Sequence, residues 1–237
     1  MIINPYTFTS APSYPASLKL FIDAGNPLSY SGSGTTVTDL IGTQNGTLTN
    51  GVSFDSANGG SFYFDGTNDY ITFGNNASIK PTSSGTISIW CKVIDNGTEF
   101  NGTMFMNTNS SSYKGIIIRG GSNVYESGKM AYYLCGDSSR ASGFVTSDNT
   151  FTGLWKMFTL SWDNSTRKAY LNGNLIYNLS NSVTVTNNST HPTLLGCNTS
   201  YGDFIKGNIS QLKIYDTQLS DADILADFSA IKSRYGY

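Results

Sequence analysis

The stretch that most constrains the fold is residues 155–178, in which two turn signals separate three short segments of alternating polarity. Phe158, Leu160 and Trp162 alternate with polar residues, which is the period of two expected of a strand with one buried face. The Asn-Gly pair at 172–173 favours a type I′ turn, because both residues tolerate a positive φ. The stretch therefore predicts two consecutive antiparallel hairpins.

Alternating segments of the same kind recur along most of the chain, separated by turn signals rich in glycine and asparagine. Turn signals at such short spacing are typical of a β-sandwich or barrel and not of units that alternate strand and helix. We predict an all-β fold with two antiparallel sheets. The other predicted strands are residues 18–23, short strands within 35–70, then 86–94, 104–106, 116–118, 130–134, 193–197 and 208–215.

One helix is predicted, close to the carboxyl end of the chain. Ser220 is a favourable N-cap, and acidic residues in the first turn suit the positive end of the helix dipole. A one-sided apolar stripe follows, made of Ile224, Leu225, Phe228 and Ile231. We expect this stripe to pack on the rim or the back of the sandwich.

The composition indicates one large domain with an uncharged polar surface. Of the 237 residues, 38% are hydrophobic and 13% are charged, where a charged fraction of about 25% is usual. We assign residues 18–237 to the domain. Residues 1–17 contain several prolines and no periodicity, so they are predicted to form an extended N-terminal arm that docks on a neighbouring subunit or another partner.

Charge and hydropathy argue against two classes of partner. The net charge is −2 and no run of Lys or Arg occurs, so binding to nucleic acid through phosphate neutralisation is not expected. No stretch is apolar over the length of a membrane span. The first residues also lack the basic start and the apolar segment of a signal peptide, so export by the usual secretory route is not expected.

The three cysteines, Cys91, Cys135 and Cys197, are widely spaced and lie in apolar segments. Buried free thiols are the favoured interpretation, because such segments are predicted to be core strands. One disulfide with one remaining thiol is the alternative. The spacing does not match structural zinc sites, which need ligands close together in sequence.

Six stretches occur in a characteristic order: residues 21–27 (FIDAGNP), 46–48 (GTL), 62–70 (FYFDGTNDY), 86–90 (TISIW), 155–173 and 207–221. In this order they resemble the LamG-like jelly rolls of the concanavalin A-like lectin/glucanase superfamily. The Asp-Ala-Gly-Asn-Pro opening at 23–27 resembles domains of bacteriophage virion proteins. The resemblance spans roughly residues 18–230. It implies a jelly-roll sandwich and, as the commonest activity, glycan binding, although a fold does not fix a function.

Catalysis is not expected from this chain. Retaining glucanases of the superfamily need two nearby carboxylates on a strand, in a Glu-x-Asp-x-x-Glu type of motif. The only glutamates, Glu99 and Glu126, lie outside any such motif, and the close pair Asp221 and Asp223 is explained by helix capping. The sole histidine, His191, has no Gly-x-Ser-x-Gly nucleophile motif to serve, so a position in a surface loop is expected.

Calcium is the one cofactor that the resemblance implies, because members of the superfamily often hold it with carboxylate and backbone oxygens. Asp216, after the last predicted strand, is the first candidate ligand, and Asp23 is the second. The alternative is that both carboxylates accept backbone hydrogen bonds at strand ends.

Sugar binding needs a flat aromatic face together with amide and carboxylate hydrogen bonds, in a site that is concave or bordered by loops. Trp90 is predicted to lie on the polar side of its strand, where its indole would be available. The remaining candidate ligand residues belong to the segment 107–140 and to one later loop: Asn107, Tyr113, Tyr125, Tyr133, Asp137, Arg140 and Tyr201.

The sequence therefore predicts a non-enzymatic carbohydrate-binding or adhesion domain displayed on the surface of a virus particle, such as a phage. Its partners would be cell-surface or environmental glycans and, through the N-terminal arm, other virion proteins, with a homo-oligomer as a further expectation. The alternative is a purely structural decoration or capsid-stabilising protein that keeps a lectin fold without a sugar site. A secreted bacterial adhesin and a divergent hydrolase are less favoured interpretations.

Overall fold

The computed structural model describes residues 13–42, 44–94, 102–108, 114–120, 130–136, 139–144, 153–180, 184–187, 190–198 and 202–237. Its first nine strands are β1 (Leu18–Asp23), β2 (Thr36–Val37), β3 (Gly46–Thr49), β4 (Ser53–Asp55), β5 (Ser61–Asp65), β6 (Tyr70–Thr72), β7 (Gly85–Val93), β8 (Thr103–Met106) and β9 (Gly115–Gly120). The next nine are β10 (Met130–Gly136), β11 (Ser139–Phe144), β12 (Trp155–Trp162), β13 (Arg167–Leu171), β14 (Asn174–Leu179), β15 (Leu194–Leu195), β16 (Cys197–Asn198), β17 (Asp203–Phe204) and β18 (Lys206–Tyr215).

These strands form the two-sheet antiparallel sandwich that the sequence predicts. Sheet A has the order β14-β13-β12-β7-β18-β5-β4, and β1 pairs with the second half of β18. Sheet B has the order β11-β10-β9-β8-β15-β6-β3-β2, and the short strands β16 and β17 lie beside β8. One helix, α1 (Asp221–Ile231), and the 3-10 turns Ala57–Gly59, Ala77–Ile79 and Lys232–Tyr235 complete the secondary structure of the described residues. No helix among them has the length and apolar character needed to cross a membrane.

The hairpins at 155–178 form as predicted and anchor sheet A. Strand β12 pairs with β7 on one side and with β13 on the other. Phe158, Leu160 and Trp162 are all 0% exposed and point into the main core between the sheets. The turn between β13 and β14 has φ of 53° at Asn172 and 76° at Gly173, the two positive values that a type I′ turn requires.

The cysteines lie in the sheets as free, buried thiols, in agreement with the favoured interpretation. The thiol of Cys91 contacts the thioether of Met104 on the opposite sheet at 3.7 Å. Burial raises the pKa of Cys91 to about 12, so this thiol stays protonated at neutral pH.

The C-terminal helix packs on the outer face of sheet A. Ser220 caps it by accepting a hydrogen bond from the Asp223 backbone N–H at 3.1 Å. Ile224 and Phe228 are buried against the sheet, but Leu225 is 47% exposed, so the predicted apolar stripe is wrong at that position. The turn of helix that follows α1 brings Tyr235 into the same buried cluster.

Arg234 fixes this C-terminal segment to the start of the domain. Its Nη1 donates to both carboxylate oxygens of Asp23, at 2.8 and 3.0 Å. Its Nη2 donates to the Gly60 carbonyl at 2.9 Å and to the Ser210 hydroxyl at 3.0 Å. A second donor, Gln211, reaches Asp23 at 3.1 Å. The planar guanidinium therefore ties β1, β18 and the 57–60 turn to the end of the chain.

Replacing Arg234 should destabilise the fold, because Asp23 is only 9% exposed and would lose its cation. We expect Arg234→Ala to lower the free energy of unfolding by about 3–5 kcal/mol, measured by urea denaturation. The control Ser233→Ala truncates an exposed side chain of the same turn and should change stability by no more than about 0.5 kcal/mol. Equal stability of the two variants would contradict this account.

Candidate functional site

The outer face of sheet A is closed by the C-terminal segment. The Trp90 indole lies between the Phe228 and Tyr235 rings, with ring centroids 5.5 and 4.1 Å apart and interplanar angles of 12° and 21°. Trp90 is 1% exposed, so it offers no aromatic face to a sugar, contrary to the sequence-based expectation. The alternating pattern correctly placed Trp90 on the face of sheet A that points away from the main core. Helix α1 covers this outer face.

The outer face of sheet B carries no helix in the described part of the chain. A row of direct register partners crosses it from β6 to β10: Thr72, Leu194, Met106, Ile117 and Tyr133. Their apolar neighbours in sequence belong to the main core, so the row itself lies on the opposite side of the sheet. Neighbouring strands lie about 4.8 Å apart, so the row extends across five strands of the sheet.

The middle of this row is packed and its flanks are partly accessible. Met106, Leu194 and Cys197 form a separate buried apolar cluster, against which Tyr70, Ile117 and Phe204 pack in half-buried positions. Tyr133 is half-buried on the other flank. The rings of Tyr70 and Phe204 therefore border an apolar centre on this face, and Tyr133 lies next to Ile117 on the neighbouring strand.

A polar pair lies beside Phe204. Arg119 on β9 and Asp203 on β17 form an ion pair at 3.4 Å, with side-chain exposures of 16% and 21%. The Arg119 Nε also donates to the Gly120 carbonyl at 3.1 Å. A guanidinium donates hydrogen bonds and a carboxylate accepts them, so this pair offers both kinds of group next to the Phe204 ring.

The other predicted ligand residues lie on this sheet or in its connections. Asn107 follows β8, but it is 2% exposed and its side-chain oxygen accepts the Ile116 N–H at 2.6 Å. It holds the ends of β8 and β9 together, so its assignment as a ligand residue is not supported. Arg140 lies on β11, opposite Cys135. Four predicted residues fall outside the described residues: Tyr113, Tyr125, Asp137 and Tyr201.

Sequence reasoning missed Tyr70, Arg119, Asp203 and Phe204. Two of them could have been found from the alternating pattern. Tyr70 and Arg119 each stand next to an isoleucine that faces the core, so their own side chains are expected on the outer face of the sheet. Asp203 and Phe204 form a two-residue strand that pairs in parallel with β8, and nothing local in the sequence indicates that pairing.

The two predicted calcium ligands do not form a cation site. Both oxygens of Asp23 already bind the Arg234 guanidinium, and Asp216 forms an ion pair with Lys19 at 2.9 Å. A divalent cation needs several oxygen ligands without a competing positive charge. Within the described ranges, no group of three or more His, Cys, Asp or Glu side chains comes together. These residues do not fit calcium.

The described aspartates have structural partners. Each is held by a hydrogen bond or an ion pair to a backbone N–H, a hydroxyl, an amide or a basic side chain: Asp23, Asp39, Asp55, Asp65, Asp69, Asp163, Asp203, Asp216, Asp221, Asp223 and Asp227. The helix residue Asp221, for example, accepts from Lys168 and Tyr170, which lowers its pKa. Glu99 and Glu126 lie outside the described residues.

His191 lies in a half-buried position and not on an open surface loop. The Lys80 ammonium donates to the His191 carbonyl and to the Asn75 side chain. Burial and, secondarily, this ammonium lower the pKa of His191 below its usual value. The imidazole is therefore neutral at pH 7, and its buried Nε2 has no hydrogen-bond partner among the described residues.

The chain belongs to a known family. A sequence profile described as the concanavalin A-like lectin/glucanases superfamily matches residues 65–225, more than half of the chain. The chain is therefore a member of the concanavalin A-like lectin/glucanases superfamily, and its fold is a lectin-like β-sandwich. Among curated proteins, none matches the sequence.

Several solved structures share this fold; three of them are two binding domains and one domain of an arabinanase. The binding domain of Paraclostridial Mosquitocidal Protein 1 superposes with a TM-score of 0.72 at 16% identity, covering 90% of this chain and 52% of that one. Domain 4 of AbnA, a GH43 extracellular arabinanase from Geobacillus stearothermophilus, in complex with arabinotriose, gives 0.69 at 19% identity, with 90% and 98% covered.

The botulinum neurotoxin serotype D ligand binding domain, in complex with N-acetylneuraminic acid, gives a TM-score of 0.70 at 15% identity, with 90% and 51% covered. This chain therefore covers about half of the length of each of the two binding domains, and nearly all of the arabinanase domain. At these identities the likeness shows the fold alone.

The low pKa of His191 predicts a specific pH dependence of stability. The unfolded chain binds this proton near the ordinary pKa of about 6.5, whereas the folded protein binds it only at lower pH. Stability should therefore fall as the pH drops through and below that value. His191→Gln removes this component, so wild type should lose more stability than the variant between pH 7 and pH 5 in urea denaturation. Parallel pH profiles would contradict the assignment.

Proposed function

We propose that this chain is a non-enzymatic carbohydrate-binding domain that binds glycans on the outer face of sheet B. The observation that carries the proposal is the contrast between the two outer faces. Helix α1 and Tyr235 close sheet A over Trp90, whereas sheet B keeps Tyr70, Tyr133 and Phe204 partly accessible beside the Arg119–Asp203 pair. Membership of the lectin/glucanase superfamily supports the same function.

The neighbouring structures are consistent with a binding role. One is described in complex with arabinotriose and another in complex with N-acetylneuraminic acid, so the fold accommodates both neutral and acidic sugars. Because the described aspartates have structural partners, we propose binding without hydrolysis. A shallow face of this kind binds weakly at one site, and useful affinity then comes from many copies acting together.

We further propose that the domain is displayed on the surface of a virus particle, such as a phage. The uncharged polar composition and the Asp-Ala-Gly-Asn-Pro opening support this location. The N-terminal arm would contact other virion proteins or a second copy of the chain. Its residues 1–12 lie outside the described residues, while Tyr14 packs edge-on against Phe21 at 5.7 Å.

A structural virion protein without a sugar site is the second candidate. The buried cluster of Met106, Leu194 and Cys197 on the outer face of sheet B favours it, since part of that face is already packed. The burial of Trp90 favours it as well, because the largest aromatic candidate is lost.

A glycan array with multivalently displayed protein separates the two candidates. Wild type should bind a restricted set of glycans, and Tyr133→Ala should reduce the signal about tenfold because it removes an aromatic contact. The control Tyr63→Ala removes a half-buried tyrosine from the outer face of sheet A and should leave binding unchanged. No signal with any glycan would support the structural role instead.

The proposed display on a virus particle can be tested separately from glycan binding. Antibodies against the purified chain should label intact virus particles in lysates of the host that carries the gene, as seen by immunogold electron microscopy. Labelling confined to cell debris would contradict display on a particle and would leave glycan binding unaffected.

A further inference from the structure

A cavity lies at one end of the sandwich, away from the sheet faces. It has a volume of about 480 Å³ and is lined by the start of β1, the 77–84 segment and the residue after β18. A second cavity of about 390 Å³ adjoins it, and Lys19 and Ser78 line both. Volumes of this size are typical of small-molecule sites.

The first cavity has a hydrogen-bonding lining. The Lys19 ammonium and Asp216 Oδ2 form an ion pair at 2.9 Å, and the Ser84 hydroxyl donates to the Asp216 carbonyl at 2.9 Å. Asp216 Oδ1 and the hydroxyls of Thr82 and Ser83 make no hydrogen bond among the described residues. The cavity thus offers a carboxylate oxygen as acceptor and two hydroxyls that can donate or accept.

The adjoining cavity has an apolar lining. The Tyr14 ring is held edge-on against Phe21, with centroids 5.7 Å apart and an interplanar angle of 82°. Leu40 and Ile41 also line this cavity in half-buried positions, together with Pro15. An aromatic and aliphatic surface next to hydroxyls and a carboxylate matches a ligand with alternating C–H and O–H groups.

We propose that this pair of cavities is a second carbohydrate site, which takes a neutral mono- or disaccharide unit. The inference rests on the proposed function, because it assumes that glycans are the ligands of this chain. Lys80 also lines the first cavity, but its side chain is buried and its ammonium donates to Asn75 and to the His191 carbonyl. We therefore expect a neutral ligand, because the remaining charges of the lining, Lys19 and Asp216, form an ion pair. An anion would meet the Asp216 carboxylate, and a cation would meet the Lys19 ammonium.

Two sugar sites on one chain would raise its affinity for glycans that reach both sites. The residues of the first cavity come from β1, the 77–84 segment and the residue after β18, whereas the first site lies on β6, β9, β10 and β17. A branched or extended glycan, or two glycans on one surface, can therefore engage a single chain at both places. Engagement at two sites raises the effective affinity without any new contact.

Saturation-transfer difference NMR with small neutral sugars tests the inference. The probes are the methyl glycosides of glucose, galactose, mannose and arabinose, together with lactose and cellobiose, at millimolar concentration. Ser83→Trp should fill the cavity and abolish the signal of the bound probe. Ser83 is exposed and its side chain makes no described hydrogen bond, so the variant should fold normally.

Ser56→Trp is the matched control. Ser56 is an exposed serine near the Arg234–Asp23 pair, at the opposite end of β1 from Lys19, and its substitution should leave the signal intact. Asp216→Asn, which keeps the side-chain size and removes the charge, should weaken binding at least about threefold. All these variants and their reference are measured in a Tyr133→Ala background, which weakens the proposed site on sheet B, so that the remaining signal reports the cavity.

The outcomes separate the second site from the proposed function. If Ser83→Trp keeps the probe signal, the proposal of a second site is wrong. The same holds if wild type binds no small sugar although its multivalent form binds the glycan array. In both cases the proposed function stands. If neither assay detects any sugar, both are wrong. Loss of the signal in Ser83→Trp, with normal binding by Ser56→Trp, establishes the site.

Discussion

The stacking of Trp90 between Phe228 and Tyr235 covers the outer face of sheet A. Strand β7 is central in sheet A, so an indole on its outer side would otherwise be a broad aromatic platform. Covering it buries a large apolar side chain, a gain of about 1.5–3 kcal/mol, to which ring stacking adds. The Arg234–Asp23 ion pair then holds the end of the chain in that position. Sheet B is left as the candidate ligand face.

Much of this fold could be predicted because it is encoded locally. The alternation of Phe158, Leu160 and Trp162 and the Asn-Gly turn at 172–173 each involve only a few neighbouring residues, and both predictions are confirmed. Strand β11 was missed because its sequence, SRASGF, has no apolar alternation. The short strands β16 and β17 depend on a parallel contact with β8, which no local pattern indicates.

The candidate site was harder to predict than the fold. Alternation assigned Trp90 to the correct side of β7, but it could not show that helix α1 would cover that side. Asp23 and Arg234 are 211 residues apart in sequence, so neither residue indicates its partner. Asn107 looks like a ligand residue in sequence, yet its carboxamide satisfies the Ile116 backbone N–H in a buried position. Sites built from long-range contacts require the three-dimensional structure.

The central claim is that sheet B, and not sheet A, is the face that meets glycans. Amide-resolved NMR titration with an oligosaccharide that binds the multivalent protein tests it most directly. The expected result is shifts in the amides of β6, β8, β9, β10, β15 and β17, with the oligosaccharide recovered intact. Shifts confined to β7, β12 and β13 beneath helix α1, or cleavage of the oligosaccharide, would contradict it.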